Sequence, residues 1–150
     1  MPESLRTRLT RLMFNFWPCY RGSGGRVTYI ARDFREIRVR LRLSLRTYNY
    51  VGTIYGGSMY AAVDPLYMFM LIQNLGPEYV VWDKAATIHF KKPGRTTLFA
   101  RFVIDDAELA AIRQALIGAP SIDRVYTIDL ADKDGVIHAT VEKTLYIRRR

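Results

Sequence analysis

Residues 49–76, NYVGTIYGGSMYAAVDPLYMFMLIQNLG, set three glycines (Gly52, Gly56 and Gly57) ahead of a long, mostly apolar segment that carries one acid, Asp64. A glycine pair running directly into a helix exposes backbone N–H groups at the helix N-terminus, where the macrodipole favours negative charge. Such a corner suits a carbonyl oxygen, an oxyanion or a phosphate. Asp64 follows Gly57 by seven residues, about two helical turns, and so shares its face. Pro65 stands directly behind the acid. Lacking a backbone donor, it either distorts the helix near Asp64 or bends it along a curved sheet. The run from Met59 to Leu75 is shorter than the roughly 20 residues of a membrane span and contains Asp64 and Pro65, so it reads as a core helix.

On either side of this segment the pattern changes to strands. From Glu36, the residues Ile37, Val39, Leu41, Leu43 and Leu45 alternate with Arg38, Arg40, Arg42, Ser44 and Arg46, the pattern of a half-buried strand with one strongly basic face. Like charges on one face repel, so an acid or an anionic ligand is expected nearby, with Glu142 a candidate. Residues Tyr79 to Lys91 read as a strand in which Val80, Trp82, Ala86, Ile88 and Phe90 share a face with Lys84. An ammonium among apolar neighbours needs a partner, and Asp64 is the expected one; the alternative is a Lys84 whose head reaches water.

Thr96 to Ile104 forms the next strand. Asp106 to Ile117 forms a helix capped by Asp105 or Asp106, with Leu109, Ile112 and Leu116 on one side. Asp123–Ala131 and Val136–Ile147 then make a hairpin through Asp132-Lys133-Asp134-Gly135. In the second of these strands Ile137, Ala139, Val141, Leu145 and Ile147 alternate with polar residues. Strand, long helix, then four strands is an α+β pattern: an antiparallel sheet wrapped on one helix.

The N-terminal segment 4–17, SLRTRLTRLMFNFW, places Leu5, Leu9, Leu12, Met13 and Phe16 on one helical stripe, with Arg6, Arg8 and Arg11 largely off it. Ser4 is a suitable cap and Pro18 a stop. The stripe is expected to pack on its own domain, the alternative being a membrane surface. Arg21 to Arg26, with three glycines and a serine, reads as a flexible joint, and Val27 to Ala31 as a short extra strand.

The order Asn49-x-x-Gly52-x-x-Tyr55-Gly56-Gly57-x6-Asp64 resembles the signature N-x-x-G-x-x-H-G-G-x6-D/E of hotdog-fold thioesterases of the phenylacetic-acid-degradation type. The strand ending Phe90-Lys91-Lys92-Pro93-Gly94 looks like the next element of that family, and the resemblance covers residues 36–147. One departure stands out: Tyr55 occupies the histidine position, as in a divergent branch. The resemblance implies a hotdog fold, joined sheets in a homodimer or a dimer of dimers, and a site at the dimer interface, with Asn49 and Asp64 contributed by different chains. It also implies an acyl-CoA or acyl-carrier thioester as substrate. Coenzyme A then enters only as part of the substrate, and no separate cofactor is called for.

Within that expectation, Gly57 N–H stabilises the oxyanion, Asp64 acts as general base or nucleophile, and Asn49 positions water or substrate. Tyr55, protonated near neutrality, donates a hydrogen bond but is a poor base. Gly56, Ser58 and Lys84 complete the substrate contacts. Lys91, Lys92, Arg95 and the terminal arginines meet the coenzyme's phosphates. Met59, Tyr60, Tyr67, Met68 and Met70 either line an acyl tunnel or are plain core.

The 150 residues are 49% apolar, enough for one sizeable core with no linker, and are read as one domain. The single cysteine, Cys19, excludes an intrachain disulfide; with no signal-peptide pattern, the cytoplasm is the expected compartment. His89 and His138 have no acid or thiol at ligand spacing, so no metal site is expected. Gly56-Gly57-Ser58 is not a nucleophile elbow, and no phosphate-loop or dinucleotide glycine pattern occurs. A formal net charge of +9 implies attraction to something anionic. Three readings follow: an acyl-CoA thioesterase, a non-catalytic acyl-thioester or fatty-acid binder, and a basic adaptor for nucleic acid or an anionic membrane, the last without any nucleic-acid motif.

Overall fold

The computed structural model describes residues 2–150. Its order is α1 (Leu5–Phe16), α2 (Pro18–Ser23), β1 (Gly25–Ile30), β2 (Glu36–Leu41), α3 (Gly56–Val63), α4 (Leu66–Leu75), β3 (Tyr79–Phe90), β4 (Leu98–Val103), α5 (Asp106–Gly118), β5 (Ser121–Ala131) and β6 (Ile137–Arg149). The strands pair antiparallel throughout in one six-stranded sheet, ordered β1-β2-β4-β5-β6-β3. The expected α+β architecture is present. Ala62, Leu66, Met70 and Leu71 of the central helix are fully buried in one cluster with Ile37 and Leu41 of β2, Leu98 and Phe102 of β4, Leu130 of β5 and Leu145 of β6.

Proline decides the shape of the central helix. It breaks into α3 and α4 at Asp64 and Pro65, because Pro65 has no N–H to continue the ladder. Asp64 thereby becomes the C-cap of α3, and the hydroxyl of buried Tyr20 donates to the nearby Ala62 carbonyl at 2.9 Å. Gly25 lets this helix lie close on β1: a Cβ there would stand 2.7 Å from the Ala62 Cβ and 3.0 Å from its Cα.

Several boundaries differ from expectation. β2 ends at Leu41, not Arg46. Thr47 Oγ1 accepts from Ser44 N at 2.9 Å and donates to Arg42 O at 2.6 Å, a side-chain turn that outcompetes further strand and leaves Leu45 fully exposed. The expected joint at 21–26 is instead the end of α2 and the start of β1, with Pro18 opening that helix and Gly24 (φ 82°) closing it. The Asp105 cap and the Asp132–Gly135 hairpin turn, with Gly135 at φ 79°, are as read.

The basic face of β2 is also as read, but its counterion is not Glu142, which lies on β6, separated from β2 by the two strands β4 and β5. Glu36 on β2 itself accepts from Arg101 Nε at 2.8 Å and Arg38 Nε at 2.7 Å. The hydrogen bonds from Arg101, followed by those from Arg38, overcome the effect of burial and hold this carboxyl at about 2, against an ordinary 4.5. A lowered carboxyl contributes stability that is complete above its unfolded value and lost as pH falls toward the folded one. Glu36→Gln should therefore flatten the acid limb of a melting-temperature profile between about pH 4.5 and 2 while changing the profile little in shape above pH 5; a variant limb parallel to the wild type would refute this.

Candidate functional site

A buried lysine, Lys143, organises the chemistry around the helix break. The inward positions of β6 are Ala139, Val141, Lys143, Leu145 and Ile147, and the lysine side chain is only 1% exposed. Its ammonium reaches Asp64 Oδ1 in a short hydrogen-bonded ion pair, stands 2.9 Å from Asp83 Oδ1 on β3, lies 3.3 Å from the Tyr60 hydroxyl and sits over the Tyr60 ring. The approach to Asp83 is ionic, outside hydrogen-bonding geometry, and that buried oxygen accepts no hydrogen bond. Tyr60, one turn before Asp64, donates to Asp64 Oδ1 at 2.7 Å.

Burial works against the charged form of Lys143, but the hydrogen bond to Asp64 and the negative charges of Asp64 and Asp83 outweigh it and raise the pKa above the ordinary lysine value. Burial raises the Asp83 carboxyl, with Lys143 opposing. Burial and the neighbouring Asp64 raise the Tyr60 phenol, which stays protonated as a donor. Two fixed donors therefore hold one oxygen of Asp64. Among the described residues none bonds its Oδ2, and the side chain is 39% exposed. Asp64 also lines a groove of about 450 Å³ whose other walls are mostly apolar, including Phe14, Ala61, Pro65 and Phe69.

Lys84 is not the partner of Asp64. A bulge between Asp83 and Ala85 makes Lys84 the extra residue of β3: Asp83 opposes Leu145, Ala85 opposes Thr144, and Lys84 turns outward to Asp123 at 2.6 Å. The bulge also reverses the strand's parity. Before it Tyr79, Val81 and Asp83 point inward, leaving Trp82 exposed; only after it do Ala86, Ile88 and Phe90 take the core-side register.

The glycine corner forms a second concavity, of about 400 Å³, lined by Asn49, Gly56, Phe90, Lys91 and Lys92 among others. Gly56 opens α3, so the Gly56, Gly57 and Ser58 amides sit in a first turn that offers them no helical acceptor. A Cβ on Gly56 would lie 2.8 Å from the Phe90 ring, and one on Gly57 would overlap the Tyr55 ring. Tyr55 precedes the helix, exposed, without a side-chain cap bond, while Ser58 is buried. Asn49 spends its side chain on its own loop, accepting from Thr53 N at 3.0 Å and donating to Thr53 Oγ1 at 2.9 Å. Lys91 and Lys92 are exposed on the concavity's wall, their amides tied to His138 O at 2.8 and 3.1 Å. His138 in turn binds Asp132 and the Pro93 carbonyl. Arg95 is exposed outside the concavity's lining. Within one chain the carboxylate and the corner do not meet, because α3 separates Asp64 from Gly57 by roughly 10 Å along its axis.

The family described as domain of unknown function DUF4442 matches residues 6–147. No curated protein matches. Among solved structures, a Pseudomonas aeruginosa protein described as of unknown function and a probable thioesterase superposes with a TM-score of 0.83 at 17% identity, covering 100% of this chain and 99% of that one. A Chlorobaculum tepidum protein of unknown function superposes with a TM-score of 0.74 at 13% identity over 96% and 94% of the two chains. A Haemophilus influenzae thioesterase gives 0.68 at 15% identity over 99% and 93%. At these identities the likeness is one of fold: the chain has the hotdog fold of thioesterase-like proteins.

Proposed function

Starting from a chain that belongs to the DUF4442 family and carries a hotdog fold, we propose that it hydrolyses acyl thioesters, with Asp64 as the reacting carboxylate. The observation that carries this reading is the half-free Asp64, which lines a mostly apolar groove: one oxygen is fixed by Lys143 and Tyr60, and the other has no hydrogen-bond partner among the described residues. An acyl chain fits such a groove. Asp64 would take the proton of the attacking water, so that the C–S bond breaks, the thiolate leaves as thiol after gaining a proton, and the acyl group leaves as acid; or it would attack the carbonyl carbon itself, expelling the thiolate to form an anhydride that water then hydrolyses to the acid and free Asp64.

The oxyanion needs donors, and the first-turn amides at Gly57 suit it. Since Asp64 and Gly57 of one chain are too far apart, the site is proposed to combine Asp64 of one copy with the glycine corner of another. The outer edge of β3 supports this: it is the last strand of the sheet, with Trp82 and Phe90 63% and 60% exposed. Lys91 and Lys92 beside the corner would meet phosphates of a coenzyme A or carrier-borne substrate. In the phenylacetic-acid-degradation-type reading, Tyr55 replaces the histidine as a hydrogen-bond donor.

Free-thiol release from short, long and aromatic acyl-CoA substrates tests the proposal, and turnover of at least one class is expected. A folded protein that releases no thiol from any of them, or from acyl-carrier thioesters, would sink it. The second reading, acyl-thioester binding without hydrolysis, draws on Tyr55 and on the self-satisfied Asn49; it predicts affinity for the same ligands with no thiol release.

A further inference from the structure

Helix α1 is packed inside out. Its inward face is largely polar and is spent on the free edge of β1: Asn15 bonds both the N–H and the C=O of Val27 at 2.9 Å, and Arg11 holds Glu3, just ahead of the helix, at 2.8 Å, where Glu3 accepts from Ile30 N at 3.0 Å. Thr7 is fully buried, and Phe14 alone among the helix's large apolar side chains packs inward, edge-on to Tyr20 and Phe69. The apolar stripe that was expected to pack on the domain faces outward instead. Leu5, Leu9 and Phe16 are 74%, 58% and 68% exposed, and Leu12, Met13 and Trp17 are about half exposed. Edge amides of a sheet demand hydrogen-bonding partners, so the polar side chains turn in and the leucines turn out.

We propose that this face of α1 seats the protein on an anionic lipid surface. The charge pattern selects that occupant. Residues 5–16 contain three arginines and no acid. At about 100° per residue, Arg6 and Arg8 fall on opposite borders of the stripe while Arg11 turns inward; Arg6 is drawn back onto Gln73 and the Phe34 ring, so Arg8 is the cation beside an apolar strip that ends in Phe16 and Trp17. Apolar side chains sink into the headgroup boundary, the flanking Arg8 meets lipid phosphates, and an aromatic at the helix end suits the interface. A second copy of this chain seated on this face would bring a second acid-free, arginine-bearing helix against the first. Nucleic acid would leave the leucines in water.

No helix of the described residues is long and apolar enough to cross a membrane, so the contact is peripheral. Met13 and Trp17 also border the groove that ends at Asp64. If the thioesterase reading holds, and only on that reading, an acyl chain leaving the bilayer meets this groove first.

The test needs no turnover. The full chain carrying Trp82→Phe keeps Trp17 as its one tryptophan. It should co-sediment with vesicles of 30% phosphatidylglycerol in phosphatidylcholine, with a blue shift of Trp17 emission, and bind pure phosphatidylcholine far more weakly. In that background Leu9→Glu/Leu12→Glu should lower anionic-vesicle partitioning at least tenfold and Arg8→Glu severalfold, both with little change in thermal unfolding because each of these side chains is already exposed. Three results would overturn the proposal: no binding to anionic vesicles; equal binding by the Leu9→Glu/Leu12→Glu variant; or no lipid binding together with a halved oligomer mass in that variant or salt-sensitive RNA binding, which would assign the face to a second copy or to nucleic acid.

Discussion

Lys143→Met should lower the folding stability at pH 7 by about 3 kcal/mol, the lower end of the cost of removing one member of a buried ion pair. The lower end applies because Asp64 keeps partial contact with water, at 39% exposure, whereas Lys143 is 1% exposed. Methionine fills most of the lysine's volume, so the loss is electrostatic: two carboxylates, Asp64 and Asp83, face the gap without a cation. Asp83→Asn in the same chain should recover a substantial part, since it withdraws the more buried of those charges; as a single change it should cost less than Lys143→Met. The pH dependence fixes the sign. Lys143 has a raised pKa, so its contribution is complete below the ordinary lysine value and lost as pH climbs through the higher folded value. The deficit of the methionine variant should hold steady from about pH 6 to 9 and close at strongly alkaline pH. It should also narrow in acid, where protonation of the already raised Asp83 removes the repulsion. Urea unfolding midpoints across pH decide the matter, and a variant as stable as the wild type at neutrality would remove Lys143 from the account.

Lys143 was within reach of the sequence. The alternation Ile137, Ala139, Val141, Leu145, Ile147 skips one inward position, and that position is 143. A lysine at a core position of a strand opposite a helix carrying a lone acid is a buried pair waiting to be drawn. Lys84 could not be placed in the same way, because parity along β3 holds only until the bulge at Asp83/Ala85, and a bulge leaves no period-two trace. The strands, the broken helix, the hairpin and the Asp105 cap follow from local chemistry that a chain displays openly: alternation, proline, Asp-Gly, a carboxylate ahead of a helix. The orientation of α1 does not. Hydrophobic periodicity marks a stripe without saying which way it turns, and the unsatisfied edge of β1, a tertiary demand, decided it in favour of Asn15 and Glu3. The seven-residue spacing puts the glycine corner and Asp64 on one helix face, as one site. They do share a helix, but the spacing along its axis sends them to separate cavities.

That separation shapes the second large effect. Asp64→Asn keeps the side chain's size and an oxygen for the Tyr60 and Lys143 donors, yet removes the basic lone pair on the groove side. On the thioesterase reading kcat should fall at least about a hundredfold with little change in KM, the pattern of a group that acts in the transition state and not in holding substrate. Two companions separate chemistry from architecture. Tyr60→Phe frees one of the two donors on Asp64 Oδ1 and should lower kcat severalfold with the fold intact. Asp83→Asn takes from Lys143 its other carboxylate but has no wall in the groove. It should shift stability while leaving kcat within a fewfold of the wild type. If Asp64→Asn and Asp83→Asn reduce turnover equally, Asp64 is a structural counterion and the reacting group lies elsewhere. If Asp64→Asn alone abolishes thiol release, mixing it with a Gly57→Val chain tests the shared site. Each homodimer should then be inactive, and the mixed dimer should regain about half of the wild-type activity per site, because one of its two composite sites holds an intact Asp64 and an intact glycine corner.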